Sequence, residues 1–187
     1  MENPLFTERL MLRPWHSDDA RALYALARDE RVGPAAGWLP HRSVEESAEV
    51  IRTVFGAPET YAVVLRESGS IVGCIGLIMP AASNIAIADD EAEVGYWLGV
   101  PYWGRGLMTE ALRTLMRRAF ETLGLSALWC GWFDGNCRSQ RVQEKCGFRY
   151  LRTEHDQLWP LTGAVVTEHI GRISHEEWAA AVKTDFL

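Results

Sequence analysis

Between residues 5 and 13 (LFTERLMLR) apolar and polar side chains alternate, and this period of two predicts a strand. The period changes in DDARALYALARDE, where Ala20, Leu23, Tyr24 and Ala27 fall at helical spacing. Ser17 as N-cap, with acids in the first turn, sets the start of that helix. Two prolines and two glycines make 31–42 (RVGPAAGWLPHR) a loop. Ser43 then caps a second helix, about 44–55, with Val44, Ala48, Ile51 and Phe55 on one face. The runs 60–66 and 71–79 flank ESGS and predict a hairpin. A connection over 80–90 leads to a strand at 91–100. Residues 105–123 carry the strongest helical stripe, Met108, Leu112, Leu115, Met116, Ala119 and Phe120, stopped by Gly124. A buried strand at 126–133 follows. Next come a short helix at about 137–146 between Asn136 and Gly147, strands near 148–154 and 164–173, and a last helix from Ser174.

This order begins antiparallel, but the unit 91–133 is strand–helix–strand and requires a parallel pair. A mixed α/β (α+β) fold follows, with a central sheet of six to seven strands and helices on both faces. At 187 residues and 48% hydrophobic content, the whole of 1–187 reads as one domain.

Charge and cysteines narrow the function. A net charge of -6 argues against non-specific nucleic-acid binding and favours cationic substrates. The cysteines at 74, 130, 137 and 146 form no C-x-x-C pair, and no histidine cluster accompanies them, so a metal site is not expected. MENPLFTERL lacks the basic start and apolar run of a signal peptide, and no run of ~18 apolar residues offers a membrane span. The expectation is a cytoplasmic protein with reduced thiols.

The informative stretch is 93–111, EVGYWLGVPYWGRGLMTEA. A strand runs into Pro101, a glycine pair and a long helix. Gly104 and Gly106 permit a sharp turn and close approach of a ligand. The amides of about 104–109 then leave the helix N-terminus without internal partners, and Arg105 adds positive charge, an arrangement suited to a pyrophosphate. Gly95 and Gly99 mark a bulge or close approach, and a bulge would splay this strand from its neighbour. Backbone groups near Leu98 and Val100 would then pair with an amide-bearing ligand such as pantetheine. Two other readings stand beside this one. WGRG also fits a plain strand–helix turn. A dinucleotide fingerprint wants a third glycine where Thr109 stands, and wants the first strand of a parallel sheet.

The same stretch resembles motif A of the GCN5-related N-acetyltransferases (GNAT). WGRGLMTEA is similar to the branch that includes ribosomal-protein N-terminal acetyltransferases. So are TERLMLRPW, the N-x-x-S at 136–139, EKCGF at 144–148 and EEW at 176–178, so the resemblance spans nearly the whole chain. The broader family has Gln or Arg where this chain has Pro101, a departure common in the branch. The resemblance implies the GNAT fold, with a splayed parallel strand pair at the cofactor groove, and acetyl-CoA as cosubstrate. It implies that the backbone of Leu98, Gly99 and Val100 holds pantetheine. Trp103, Gly104, Arg105, Gly106, Leu107, Met108 and Thr109 would wrap the pyrophosphate, and Asn136 would meet the pantetheine arm.

Acetyl transfer needs a neutral amine, a polarised thioester carbonyl and a stabilised leaving thiolate. Alternation puts Glu91, Glu93, Gly95, Trp97 and Gly99 on one side of the strand. Glu93 is the candidate base and Glu91 a weaker one; the alternative is a structural carboxylate. Ser139 is the candidate acid, since relatives of the branch use a serine there; the alternative is a hydroxyl in the first turn of the helix that Asn136 caps. No tyrosine precedes Tyr150 in QRVQEKCGFRY to take that part. The backbone amide near Leu98 is the carbonyl polariser.

Cys137 and Cys146 read as packing residues. Lys145 reads as a solvated charge or a contact to the ribose phosphate. Trp97 and Trp103 flank the groove, and Trp38 and Trp159 sit where relatives bind the acceptor. The competing reading of these tryptophans is core or loop anchoring. Three functions remain: acetylation of a protein N-terminal amine or a small amine, detoxification of an aminoglycoside or polyamine, and a catalytically silent acyl-CoA sensor. Oligomeric state, including a homodimer, is left open.

Overall fold

The computed structural model describes residues 4–184. Eight strands form one sheet: β1 (Leu5–Phe6), β2 (Leu10–Pro14), β3 (Thr60–Leu65), β4 (Ile71–Ile78), β5 (Glu91–Leu98), β6 (Ala127–Phe133), β7 (Arg149–Leu158) and β8 (Val165–Ser174), in the order β1-β2-β3-β4-β5-β6-β8-β7. The helices are α1 (Ala20–Ala27), α2 (Val44–Thr53), α3 (Leu107–Arg117), α4 (Cys137–Lys145) and α5 (His175–Thr184). The β5–β6 pair is parallel and every other pair antiparallel.

The sheet has one strand more than six to seven because the N-terminal alternation folds on itself. Thr7 breaks it: its N–H donates to the Leu10 carbonyl at 2.9 Å, and its hydroxyl oxygen accepts the Leu10 amide at 2.8 Å. The turn is held from α3 by Glu110, which accepts the Thr7 hydroxyl, the Arg9 amide at 2.9 Å and the Arg9 Nε at 2.6 Å.

The α3 stripe packs on one face of the sheet, where Leu107, Met108, Ala111, Leu112, Leu115 and Met116 are buried with Phe148 and Trp178. On the other face, Leu23 and Ala27 of α1 and Ile51 of α2 pack with Val64, Cys74 and Trp97. Helices thus cover both faces.

Ser43 caps α2 as expected, accepting the Glu46 amide at 3.1 Å. Ser17 does not cap α1. It opens a 3-10 turn, Ser17–Asp19, because the Asp19 carboxylate accepts the His16 amide at 2.9 Å and both Arg13 guanidinium nitrogens at 2.7 and 2.8 Å. The long helix begins at Leu107 rather than 105, since Gly106 at φ 74° cannot continue a right-handed turn. It passes into a π turn at Arg118–Thr122, where Arg118 reaches Glu59 at 2.7 Å, before Gly124 turns the chain at φ 70°. Among the described residues no helix is long and apolar enough to cross a membrane.

Candidate active site

The site lies where the parallel pair parts. β5 and β6 are in register only from Glu91–Glu93 against Ala127–Trp129. Past that point β5 keeps its ladder with β4 to Leu98, while β6 keeps its ladder with β8 to Phe133. The anticipated bulge in β5 is absent, for its register on β4 is continuous from Glu93 to Leu98. Gly95 and Gly99 serve close packing instead. A Cβ at Gly95 would lie 3.1 Å from Ile78 Cδ1, and one at Gly99 would meet Leu26 Cδ2 at 2.6 Å.

Side chains finish the open edges. Gln143 of α4, 1% exposed, donates its Nε2 to the Gly131 carbonyl of β6 at 3.2 Å. On β5, the Gly99 amide donates to Val72 at 2.9 Å. Antiparallel alternation then turns the N–H and C=O of Tyr96 and Leu98 toward the parting. The Leu98 carbonyl accepts the Trp103 indole N–H at 2.8 Å, while its amide has no partner among the described residues. Leu98 thus offers a donor alone. Val100 lies in a 3-10 turn, Val100–Tyr102, and its carbonyl accepts the Trp103 amide at 3.2 Å.

After Trp103 comes the glycine turn. Gly104 and Gly106 have φ of 72° and 74°, a left-handed conformation that disfavours other residues. The first amide bonded within the helix is that of Glu110, to Gly106, at 3.1 Å. Among the described residues the six amides of Gly104, Arg105, Gly106, Leu107, Met108 and Thr109 have no acceptor. They lie at the positive end of α3, an arrangement suited to an anion. The side chains of Leu107 and Met108 are buried in the core, so these residues contribute only backbone here. A groove of about 410 Å³ runs from the turn along the parting, between Tyr96 and Leu98 on one side and Asn136 and Ser139 on the other. Arg138, Arg141 and Lys145 lie along its α4 side, and the Arg138 guanidinium stacks 4.2 Å over the Trp103 ring. Both the turn and the groove fit a diphosphate ester with an amide-bearing arm.

At the start of α4, Asn136 accepts the Ser139 amide at 3.2 Å and donates to the Ala35 carbonyl at 3.1 Å. Its side chain both caps the helix and ties down loop 31–42. The Ser139 hydroxyl meets the Tyr96 hydroxyl at 2.9 Å. Burial pushes the Tyr96 phenol well above its ordinary range, so it stays protonated at neutral pH. Tyr96 was not anticipated as a functional residue; its place in β5, directed at the same side as Leu98, was the available signal.

Glu93 and Glu91 differ in environment. Glu93 is buried and points to the α1 and α2 side of the sheet; its Oε2 accepts the Ser83 hydroxyl at 2.7 Å. Burial raises its pKa against the opposing effect of the Ser83 and Asn84 hydrogen bonds. Glu91 accepts from Arg172 at 2.8 Å and from the Trp129 indole at 2.8 Å. Burial would raise its pKa, but these donors and the Ala88 amide hold it below the usual range. Glu91 is thus occupied by three donors within the sheet and its edge loop. Burial pushes the thiols of Cys74 and Cys146 up to about 12 and about 11, so neither supplies a thiolate at neutral pH.

Of the three tryptophans expected at the acceptor, Trp97 lines the groove, while Trp38 and Trp159 are not among its lining residues. Trp38 meets Trp97 edge-on with centroids 5.7 Å apart. Trp159 packs edge-on to Phe133 at 4.8 Å and donates its indole N–H to the Gly37 carbonyl at 2.7 Å. Trp97 is buried in the second core and also lines the groove. Trp159 is thus a fastener for loop 31–42.

Known proteins share this fold. The chain is 28% identical over 129 residues to the uncharacterized N-acetyltransferase p20 of Bacillus licheniformis, covering 66% of this chain and 70% of that protein. Its fold matches a GNAT-family acetyltransferase from Bacillus anthracis with TM-score 0.81 at 21% identity, over 93% of this chain and 99% of the other. It matches a ribosomal-protein-S5-alanine acetyltransferase from Vibrio fischeri with TM-score 0.74 at 21% identity, over 95% and 99%. Residues 9–149 match the family model of the acetyltransferase (GNAT) domain, which contains the parting, the cradle and α4, and the chain belongs to that family of acetyltransferases.

Proposed function

We propose that this acetyltransferase moves an acetyl group from acetyl-CoA to an amine, either a protein N-terminus or a small molecule, by direct attack in a ternary complex. The observation that carries the reading is the junction of six unpartnered amides with a parted parallel strand pair. The amides of Gly104 to Thr109, with Arg105, take the pyrophosphate. The Leu98 amide, Gly99, Val100 and Asn136 line the pantetheine arm, and the Leu98 N–H polarises the thioester carbonyl. Trp103 braces the Leu98 carbonyl so that this amide stays in place.

The acceptor amine enters from the side of Trp38, Trp97 and Trp159. Glu93 draws off its proton, directly or through water. The amine nitrogen attacks the carbonyl carbon, the C–S bond breaks, and the thiolate takes a proton from Ser139, which Tyr96 supplies in turn across their 2.9 Å contact. The Vibrio fischeri protein is a ribosomal-protein-S5-alanine acetyltransferase; a protein N-terminus is the first acceptor to test here.

The test is free-thiol release from acetyl-CoA with alanyl and seryl peptides and a panel of small amines, run beside calorimetric binding of acetyl-CoA. The expected result is binding in the absence of amine and thiol release with at least one amine. Binding without thiol release across the panel would instead favour an acyl-CoA sensor, and failure to bind acetyl-CoA would remove the reading altogether.

A further inference from the structure

Glu168 of β8 stands out among the carboxylates on this face of the sheet. As a residue it is 7% exposed, and among the described residues nothing donates a hydrogen bond to it or forms an ion pair with it, so its oxygens, which are not fully enclosed, are left to solvent or a ligand. The cation that faces it, Arg152 of β7, is committed to Glu154, with Nε and Nη2 both 2.9 Å from Oε1. Glu154 itself is the direct cross-strand partner of Glu168, a like charge opposite a like charge. A buried carboxylate without a partner is costly, and such groups gather at functional sites.

Its direction is fixed by Gly131. A Cβ there would lie 2.0 Å from Glu168 Oε1, so the carboxylate occupies the space over that glycine. Gly131 is two residues beyond Trp129, the last β6 residue in register with β5, and Trp129 pairs with Glu93. Glu168 therefore leans across β6 to the mouth of the parting, on the face where Glu93 also points. Glu93 is fastened by Ser83 and the Asn84 amide; Glu168 is not fastened.

We propose that Glu168 is a second acid–base group of the reaction, which with Glu93 receives the acceptor as an ammonium ion and accepts the proton it must lose. The inference rests on the proposed acetyl transfer and deepens it. In the step, an N–H bond of the ammonium breaks, its electron pair stays on nitrogen, and an O–H bond forms on Glu168. The neutral nitrogen then attacks the thioester, its second N–H proton passes to Glu93, directly or through water, as the C–S bond breaks, and the departing thiolate takes its proton from Ser139. Until that second transfer the charge of Glu93, the fixed neighbour, favours the proton on Glu168. Burial, then the charges of Glu93 and Glu154, opposed by Arg152, bring the Glu168 carboxyl to about 7, suited to a base at neutral pH. On β6 the facing positions Trp129, Gly131 and Phe133 carry no charge, and Arg172 on β8 is held by Glu91.

Two measurements test this on the full chain. The first is the pH dependence of kcat/KM for thiol release from acetyl-CoA, with an alanine-led tripeptide and 1,4-diaminobutane as probes. Glu168→Gln is expected to lower kcat/KM at pH 7 by about tenfold or more and to shift the acidic limb by about one unit as Glu93 loses its like-charged neighbour, with Glu168→Asp restoring part of the rate. The second is carboxyl-carbon NMR of glutamate-labelled protein, in which the signal absent from Glu168→Gln titrates near pH 7. A wild-type rate and profile in Glu168→Gln, or titration in the ordinary carboxylate range, overturns the proposal. If the wild type releases no thiol with any amine, the proposed function falls instead, and the NMR titration still decides whether Glu168 holds its proton.

Discussion

The hydroxyl groups of Tyr96 and Ser139 lie 2.9 Å apart across the parting, joining β5 to the first turn of α4. The Tyr96 hydroxyl also lies 3.1 Å from the Ser139 carbonyl. Either hydroxyl can donate in the 2.9 Å contact, and when the phenol donates to the Ser139 hydroxyl, Ser139 has a proton source behind it and the groove in front. Ser139→Ala is expected to lower kcat by about 100-fold or more, within the usual scale of acid catalysis, with acetyl-CoA affinity changed less than about threefold. Tyr96→Phe should lower kcat by a smaller factor. The double variant should be no slower than Ser139→Ala alone, because the two hydroxyls act in series. Steady-state kinetics with a calorimetric Kd would check this, and additive losses would count against the relay.

The cradle makes a separate prediction. Nothing lies within 4 Å of a Cβ placed on Gly104, so alanine there meets no clash and its cost is the left-handed backbone alone. That cost is about 1 kcal/mol, and Gly106→Ala carries a similar one. Both variants should fold, with Tm lowered by a few degrees. Acetyl-CoA binding should weaken by about tenfold or more as the amides of 104–109 are re-aimed. Arg105→Ala, an exposed charge that leaves the backbone intact, should cost less than either glycine variant.

How far the residues announced all this can be judged at particular positions. The ESGS hairpin, the Ser43 and Asn136 caps and the apolar face of α3 are local patterns, and each appears in the fold. The parting of β5 from β6 was anticipated, but for the wrong cause: no bulge exists, and each strand simply keeps its other neighbour. Long-range partners were out of reach. Glu110 breaks the first strand by bonding Thr7 and Arg9, about a hundred residues away in the chain. Tyr96 gains its meaning from Ser139, and Gln143 from Gly131; no periodicity links members of such pairs. Trp159 stood out by type, yet only the fold distinguishes a wall of the acceptor site from a fastener of loop 31–42.

That fastener is testable. Gly37 adopts φ 85°, and its carbonyl accepts the Trp159 indole at 2.7 Å, while Asn136 holds Ala35 nearby. Trp159→Phe keeps an aromatic ring against Phe133 but removes the donor. Loss of one such hydrogen bond costs about 1 kcal/mol, too little to unfold the chain but enough to loosen the loop. The expected result is a KM for the acceptor raised by about three- to tenfold, with acetyl-CoA affinity unchanged. A change in acetyl-CoA affinity larger than that in acceptor KM would show that the loop serves the cosubstrate instead.

Stability should carry the mark of Glu168. Its folded-state pKa of about 7 exceeds the ordinary 4.5, mainly through burial. Between those values the folded chain holds a proton that the unfolded chain has released, so stability falls as pH rises through this window. Below about 4.5 both states are protonated and the group contributes nothing; above about 7 the full cost of the buried charge is present. Glutamine has nearly the same shape and no charge. Glu168→Gln should match the wild type in Tm near pH 4.5 and exceed it at pH 8, by a free energy on the order of 1–3 kcal/mol. Thermal melts of both proteins across pH 4.5 to 8 would check it. Because this gain at high pH accompanies a loss of turnover, the pair of results would mark Glu168 as a residue kept at the expense of stability, the pattern expected of an acid–base group and not of a packing residue.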